Sequence, residues 1–381
     1  MNKLSQKIGI LGGGQLGKML YQAGSTLGLD MTILEKDDSF PAAQVCPFMV
    51  YGDITNYEDV MSFGKECDII TIEIENVNVE ALETLEQMGK KVFPQPDILR
   101  LIKDKGKQKM FYESAGFPTS DFALHKCKSD VVDEVKLGHL SLPFVQKSRT
   151  EGYDGRGVQI INTEYDLNDL FDGETLTEDK VEIDKEISVI VARTPSGKMA
   201  TFPVVEMQFH PTANLVEFLF SPSELPSRQE SEAVELAKNI AERLKIVGLL
   251  AVELFLSKDG QMMVNEVAPR PHNSGHHTIE ACITSQYQMH LRAILDLPLS
   301  STELLHPAVM VNVLGAAGHT GPAEYNHIEE CMALDGVYIH LYGKKDTKPY
   351  RKMGHVTVVD KNLDNAKNKA SFVQKTLTVT T

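Results

Sequence analysis

RTEGYDGRGV, residues 149–158, sets Gly152, Gly155 and Gly157 around Tyr153, Asp154 and Arg156. Glycine weakens strands and helices alike, so the stretch describes a loop whose bare backbone N–H groups can close on phosphate oxygens. "LPFVQKSR" before it and "GVQII" after it read as strands. Lys147, on the first of these, stands five residues ahead of Gly152, within reach of an α- or β-phosphate. Lys105, on a helical run over 101–116, offers a second ammonium. A lone lysine is most often a solvated surface residue; strand, lysine, glycine loop and strand in that order point to a nucleotide phosphate site.

Upstream, "KIGIL" (7–11) reads as a buried strand, followed by "GGGQLG" and the helical pattern "KMLYQAGSTLG". "DMTILEKD" (30–37) and "DIITIEIENV" (68–77) are further strands, so the first 100 residues or so predict a parallel α/β domain. The proline-rich "FPQPDIL" (93–99) marks its exit. Gly12-x-Gly14-x-x-Gly17 with Glu35 on the next strand is the full dinucleotide fingerprint. Alone it predicts an NAD enzyme, but close helix–strand packing asks for the same glycines.

Downstream, "LLAVELFL" and "MMVNEVA" flank "SKDGQ" as a hairpin. If Asp259-Gly260 is a two-residue turn, paired residue numbers sum to 519 and Glu253 faces Glu266. Facing like charges destabilise a sheet unless a cation lies between them, and Mg²⁺ is bound by carboxylates together with substrate phosphates. "APRPHNSGHH" (268–277) follows at once, with Arg270, His272 and Asn273 suited to a small oxyanion and to proton transfer. His272 and His276 have the spacing of a zinc pair, but Pro271, Asn273 and Gly275 argue against a helix there. "YGKKDTKPYRKMGH" (342–355) collects Lys344, Arg351 and Lys352, a basic cluster that fits an anionic substrate or a solvated loop.

The composition bounds these readings. Of 381 residues, 42% are hydrophobic and 24% charged, enough for two or three folded domains. A net charge of −15 disfavours nucleic acid and anionic membrane. Five scattered cysteines without CxxC fit a reducing compartment. The start lacks the apolar core of a signal peptide, and "VGLLAVELFL" is too short to span a membrane and contains Glu253. The expected setting is cytoplasmic.

With "GILGGGQLGKML", "EIENV", "EGYDGRG", "VNEVAPRPHNSGH" and "RKMGH" together, the chain resembles, along essentially its whole length, the N5-carboxyaminoimidazole ribonucleotide synthetase family of the ATP-grasp superfamily. The resemblance implies an α/β ATP-grasp fold with an N-terminal Rossmann-like domain: 1–100, a small lid domain 101–186 carrying the glycine loop, and a large domain 187–381 carrying the metal site. It implies an ATP-dependent carbon–nitrogen ligase that carboxylates 5-aminoimidazole ribonucleotide with bicarbonate, through carboxyphosphate, in purine synthesis. A homodimer is implied too. In this reading the first glycine motif is a fold element that serves the substrate and not NAD.

The same resemblance implies the roles of single residues. ATP meets Lys105, Lys147, Gly152, Tyr153, Asp154, Gly155, Arg156, Gly157, Glu182, Glu186, His210, Asn265 and Glu266. Two Mg²⁺ ions lie on Glu253 and Glu266. The ribonucleotide meets Gln15, Leu16, Glu75, Tyr153, Arg156, Lys344, Arg351 and Lys352. Arg270, His272 and Asn273 surround bicarbonate and carboxyphosphate, and with Asp154 and Lys352 they form the catalytic set. The sequence departs from the family in one respect: Glu182, taken as the adenine-side hinge glutamate, stands only four residues before Glu186, where the family has several more.

Three rivals stay in view, one of them a non-catalytic nucleotide-sensing protein on the same fold. Another ATP-grasp ligase, such as a formate-dependent glycinamide ribonucleotide transformylase, would keep the ATP site and change acid and acceptor. An NAD oxidoreductase explains residues 8–35 and leaves 147–157 and 253–277 idle.

Overall fold

The computed structural model describes residues 2–150, 157–209 and 216–381. Gly152, Tyr153, Asp154, Gly155, Arg156 and His210 lie outside them. The first sheet contains β1 (Ile8–Leu11), followed by α1 (Gln15–Ser25), β2 (Met31–Glu35), β3 (Met49–Tyr51), α2 (Tyr57–Lys65), β4 (Ile69–Ile72), α3 (Val79–Gln87) and β5 (Lys91–Phe93). Its strands are all parallel, in the order β3-β2-β1-β4-β5. β1, β2 and β4 are buried along their whole length, as in a sheet covered on both faces. The third strand run, expected over 68–77, stops at Ile72, because β1 ends at Leu11 and the chain turns at Gly12 (φ +105°) into α1.

The helical run over 101–116 is two helices, α4 (Pro96–Ile102) and α5 (Lys105–Ala115). Asp104 makes the break: its backbone is extended, and its carboxylate accepts the N–H groups of Gly106 and Lys107. Gly116, at φ +73°, ends α5. The same Asp104 carboxylate pairs with Arg149 at 2.6 Å, tying the start of α5 to the end of a strand in the second sheet.

That sheet is antiparallel. It is built from β6 (Phe122–His125), β7 (Phe144–Ser148), β8 (Val158–Ile161) and β9 (Thr175–Asp179), in the order β6-β9-β7-β8, with α6 (Lys128–Lys136) beside it. Lys147 lies opposite Val158, so residues 149–157 form the connection between β7 and β8.

The third sheet begins with β10 (Ile183–Arg193), β11 (Met199–Thr201), β12 (Val205–Phe209) and β13 (Val216–Ser221). After α7 (Ser227–Leu244) come β14 (Gly248–Ser257), β15 (Met262–Ala268), α8 (Thr278–Ala281), α9 (Gln286–Ile294) and β16 (Ala308–Leu314). The last stretch holds β17 (Gly321–Pro322), β18 (Glu324–Asn326), α10 (Ile328–Met332), β19 (Val337–Leu341), β20 (Asp346–Thr347), β21 (Lys352–Val359), α11 (Leu363–Thr376) and β22 (Thr378–Thr380). The main order is β15-β14-β10-β12-β13-β16-β21-β19, with β11 against β10; β17–β20 and β18–β22 are separate ribbons. β10 runs unbroken through Glu186, so we propose the boundary between second and third domains at 180–182 rather than after 186.

Alternation along β10 sends its two faces to different helices. Ile187, Val189 and Val191 pack with Ala237, Ile240 and Ala241 of α7. Ile190 and Ala192 pack with Met289 of α9. α9 also shares a core with Leu16, Met19 and Leu20 of α1 through Tyr287, Leu291 and Ile294. Each such fully buried aliphatic side chain stabilises by about 1.5–3 kcal/mol. This core therefore clamps the first domain to the third and brings the first turn of α1 near the loop that follows β15.

Candidate active site

The hairpin of β14 and β15 carries the acidic centre. Its turn is longer than the two-residue Asp259-Gly260 turn expected. The Ser257 N–H bonds Gln261 O at 2.9 Å, leaving three residues in the loop, with Gly260 at φ +87°. That turn alone would set Glu253 opposite Asn265. Instead Glu253 pairs with Glu266, and the register shifts between Glu253 and Leu254, which pairs with Val264. Asn265 is thus an extra residue in β15, a bulge that sets two residues against one. The expected pairing holds, but through the bulge.

The two carboxylates have different surroundings. The Glu253 side chain is 15% exposed and Glu266 43%. Burial, then Glu266 and Glu186, push the Glu253 carboxyl up to about 8. Lys105, the first-turn residue of α5, pairs with Glu266 and holds it low. Burial works against the Lys105 ammonium, yet Glu266, Glu253 and Glu178 keep its pKa raised. Lys147 donates to Asn265 Oδ1 at 3.0 Å and pairs with Glu178 Oε2 at 2.9 Å. Lys109 takes the other Glu178 oxygen at 3.2 Å. Lys105, Gln108, Lys109, Lys147, Glu178, Asn265 and Glu266 line one small pocket where the second sheet meets the third. Glu186 lies on β10 beside this region, and burial pushes its carboxyl up to about 7 against the pull of Lys147.

The loop after β15 supplies the next layer. His272 Nε2 lies 3.3 Å from Glu253 Oε1, while its Nδ1 shares a hydrogen bond with Ser274 Oγ at 2.9 Å. Ser274 Oγ in turn meets Ser188 Oγ of β10 at 2.8 Å. Gln286 of α9 accepts from the His272 N–H at 2.8 Å and donates to its carbonyl at 2.7 Å, which fixes the loop's path. His272 and His276 flank a 3₁₀ turn over Asn273–Gly275 and not a helical zinc face. Both polar atoms of the Asn273 amide are buried with no partner among the described residues. Leaving a buried polar group unpaired costs about 1–3 kcal/mol.

The first domain reaches in through Glu75, whose carboxylate meets Arg270 Nε at 2.8 Å. Gln15 begins α1 and is half-buried; Leu16 beside it is in the core shared with α9. From the C-terminal strands, Lys352 is near enough to pull the Glu253 pKa down, against the larger opposing effects. Lys344 donates to Lys352 O at 2.7 Å. Arg351 turns to Asp346 O at 2.7 Å, on the more exposed side of the cluster. Gly157, at φ +72°, is the described end of the glycine loop.

Glu182 is not with the others. Its side chain is 69% exposed and pairs at 3.3 Å with Lys258 in the hairpin turn. Glu178, eight residues before Glu186, sits among the lysines instead. Sequence reading passed over Glu178 and Lys109. Register brings Glu178 to Lys147: Lys147 lies opposite Leu176, so Glu178, two residues further along β9, shares the face of Lys147 on a strand buried from Thr175 to Glu178. The NAD reading also meets an obstacle, since the N–H of Gly13 donates to Glu35 and those of Gly14 and Gly17 donate to Glu73.

Three family models match in succession: a ribonucleotide synthetase preATP-grasp domain over residues 5–103, an ATP-grasp domain over 110–287, and a phosphoribosylaminoimidazole carboxylase C-terminal domain over 308–369. The N5-carboxyaminoimidazole ribonucleotide synthase of Synechococcus elongatus is 36% identical over 93% of this chain and 89% of its own length. A chloroplastic phosphoribosylaminoimidazole carboxylase of Vigna aconitifolia is 35% identical over 96% of this chain, which spans only 66% of that protein. Among solved structures, the N5-carboxyaminoimidazole ribonucleotide synthetase of Thermotoga maritima superposes with a TM-score of 0.90 at 41% identity, covering 99% of both chains. The Aspergillus clavatus enzyme, solved with ADP and 5-aminoimidazole ribonucleotide, gives 0.89 at 31% identity, covering 98% of this chain and 99% of its own.

Proposed function

This chain belongs to the N5-carboxyaminoimidazole ribonucleotide synthase family of ATP-grasp ligases, and we propose that its cleft carboxylates 5-aminoimidazole ribonucleotide with ATP and bicarbonate. The observation that carries this reading is the facing pair Glu253 and Glu266, hemmed by Lys105 and Lys147. Two facing carboxylates with a neighbouring amide are too few to close a cage around a metal. They do fit Mg²⁺, which keeps positions for substrate phosphates. Two such ions on Glu253 and Glu266 would offset charge on the β- and γ-phosphates during transfer.

ATP lies between the second and third sheets in this reading. Lys105 and Lys147 meet its phosphates, with Lys105 exchanging Glu266 for a phosphate oxygen, and Asn265 supports the acidic pair. Glu186, with a carboxyl that gains and loses its proton near neutrality, suits the ribose hydroxyls. We assign the buried lysine contacts near the base to Glu178 and give Glu182 no part. The loop through Gly152, Gly155 and Gly157 covers the phosphates and keeps water from a reactive acyl phosphate.

Arg270, His272 and Asn273 bind bicarbonate; the unpaired Asn273 amide has both a donor and an acceptor to offer. A bicarbonate oxygen attacks the γ-phosphorus, ADP leaves, and carboxyphosphate results. The exocyclic amine then forms its bond to the carboxyl carbon as the carbon–oxygen bond to phosphate breaks, or to CO₂ once that bond has broken, and the departing inorganic phosphate takes up the proton the amine loses. Gln15, Leu16, Glu75, Tyr153 and Arg156 hold the ribonucleotide, and Lys344, Arg351 and Lys352 its phosphate; Lys352 and Asp154 join Arg270, His272 and Asn273 in the catalytic set. Family likeness adds a homodimer, and five free thiols fit a cytoplasmic setting. With ¹⁸O-labelled bicarbonate, one label should appear in the released phosphate. Unlabelled phosphate alongside carboxylated product would remove carboxyphosphate from the account.

A further inference from the structure

The glycine motif that opens the chain is a filled anion site. Glu73 is 8% exposed, and its carboxylate accepts from the Gly14 N–H and the Gly17 N–H, each at 2.6 Å. These are the N–H groups that a helix start offers to a phosphate, with the positive end of the α1 dipole behind them. Glu35 takes the Gly13 N–H at 2.9 Å and the Lys36 N–H at 2.9 Å. The glycines are shaped for this internal carboxylate. A Cβ on Gly12 would lie 2.4 Å from Glu73 Cγ, and one on Gly14 would lie 2.3 Å from Glu73 Oε1.

Two residues along the chain, Glu75 pairs with Arg270 at 2.8 Å. One short turn therefore holds the first residues of α1 with one carboxylate and the loop after β15 with the other. We infer that Glu73 is an internal anion standing where a dinucleotide would place its pyrophosphate, and a positioning residue for the ribonucleotide. It fixes the first turn of α1, with Gln15 and Leu16, relative to Glu75 and Arg270. The inference about the ribonucleotide rests on the function proposed above; the inference about the internal anion does not.

Glu73→Ala removes the atoms of one acetate ion, so acetate is the probe. The variant should show a KM for 5-aminoimidazole ribonucleotide raised by about tenfold or more, with KM for ATP within about twofold. Acetate, compared with chloride at equal ionic strength, should lower that KM again. Acetate should also raise the melting temperature of the variant by a few degrees and leave the wild type unmoved. Wild-type KM, or a thermal response to acetate no larger than to chloride, would overturn the inference. If the chain proves inactive on the ribonucleotide, the thermal response alone decides the internal anion. If Glu73→Ala does not fold, Glu73→Gln takes its place, because its amide offers one acceptor where two N–H groups converge. An unchanged KM and melting temperature in that variant would sink the proposal.

Discussion

Glu253 faces Glu266 across the β14–β15 hairpin because Asn265 is an extra residue in β15. The three-residue turn and the bulge offset one another, and the bulge brings Asn265 to the same group, where Lys147 binds it. Two carboxylates facing each other in a sheet lose stability unless something positive lies between them. Glu253→Gln and Glu266→Gln should each lower ribonucleotide-dependent ATP turnover by about 10²-fold or more. Without Mg²⁺ the melting temperature should hold or rise in Glu253→Gln and fall in Glu266→Gln, which leaves Lys105 without its carboxylate. A variant that keeps turnover would end the metal assignment.

Glu178 joins two ammonium groups whose side chains are 3% and 11% exposed, Lys109 and Lys147. Glu178→Ala leaves both without their carboxylate and should destabilise the fold by about 3–5 kcal/mol, read by urea unfolding. Glu182→Ala removes an exposed pair with Lys258 and should stay within about 0.5 kcal/mol with KM for ATP unchanged. The opposite ranking would restore Glu182 to the site.

Gln286 makes a hydrogen bond to each side of the His272 peptide backbone. Gln286→Leu leaves that N–H and carbonyl without their buried partner, a cost of about 1–3 kcal/mol each. kcat should drop while KM for ATP stays level, because His272 loses its place but the lysines do not. An unaltered kcat would remove His272 from the chemistry.

Acid should unfold the protein through buried histidines. His277 and His290 are held near 4 by burial, against 6.5 for an ordinary histidine. Above pH 6.5 both are neutral, folded or unfolded, and contribute nothing to the pH dependence. Between 6.5 and 4 the unfolded chain binds protons that the fold refuses, so stability falls with pH by about 3 kcal/mol per histidine and levels off below 4. Glu253 and Glu186, whose carboxyls burial holds up near 8 and 7, gain stability over the same window, so the acid limb is the difference between the two effects. His290→Gln should make that limb shallower. A His290→Gln profile that runs parallel to the wild type's between pH 6.5 and 4 would contradict the burial.

Much of this was legible in the sequence because its signals are local. The parallel first sheet follows from buried strand runs alternating with helices, and β7 and β8, on either side of the glycine stretch, from "LPFVQKSR" and "GVQII". The Glu253–Glu266 pair followed from hairpin arithmetic, although the turn and the bulge erred in opposite directions. What sequence could not supply depends on tertiary partners. Asp104 splits a helical run because Arg149 and the α5 N–H groups both use its carboxylate. Glu178 enters the pocket because β9 pairs with β7. Glu73 fills the glycine motif because β4 ends beside β1, and a motif read as open to a ligand is closed from within.

The most direct test is phosphate release from Mg-ATP and bicarbonate, with and without 5-aminoimidazole ribonucleotide. The account predicts release that depends on the ribonucleotide and yields a carboxylated product mole for mole. Phosphate release that ignores the ribonucleotide, from protein that binds ATP, would contradict it and leave an ATP-grasp ligase with another acceptor.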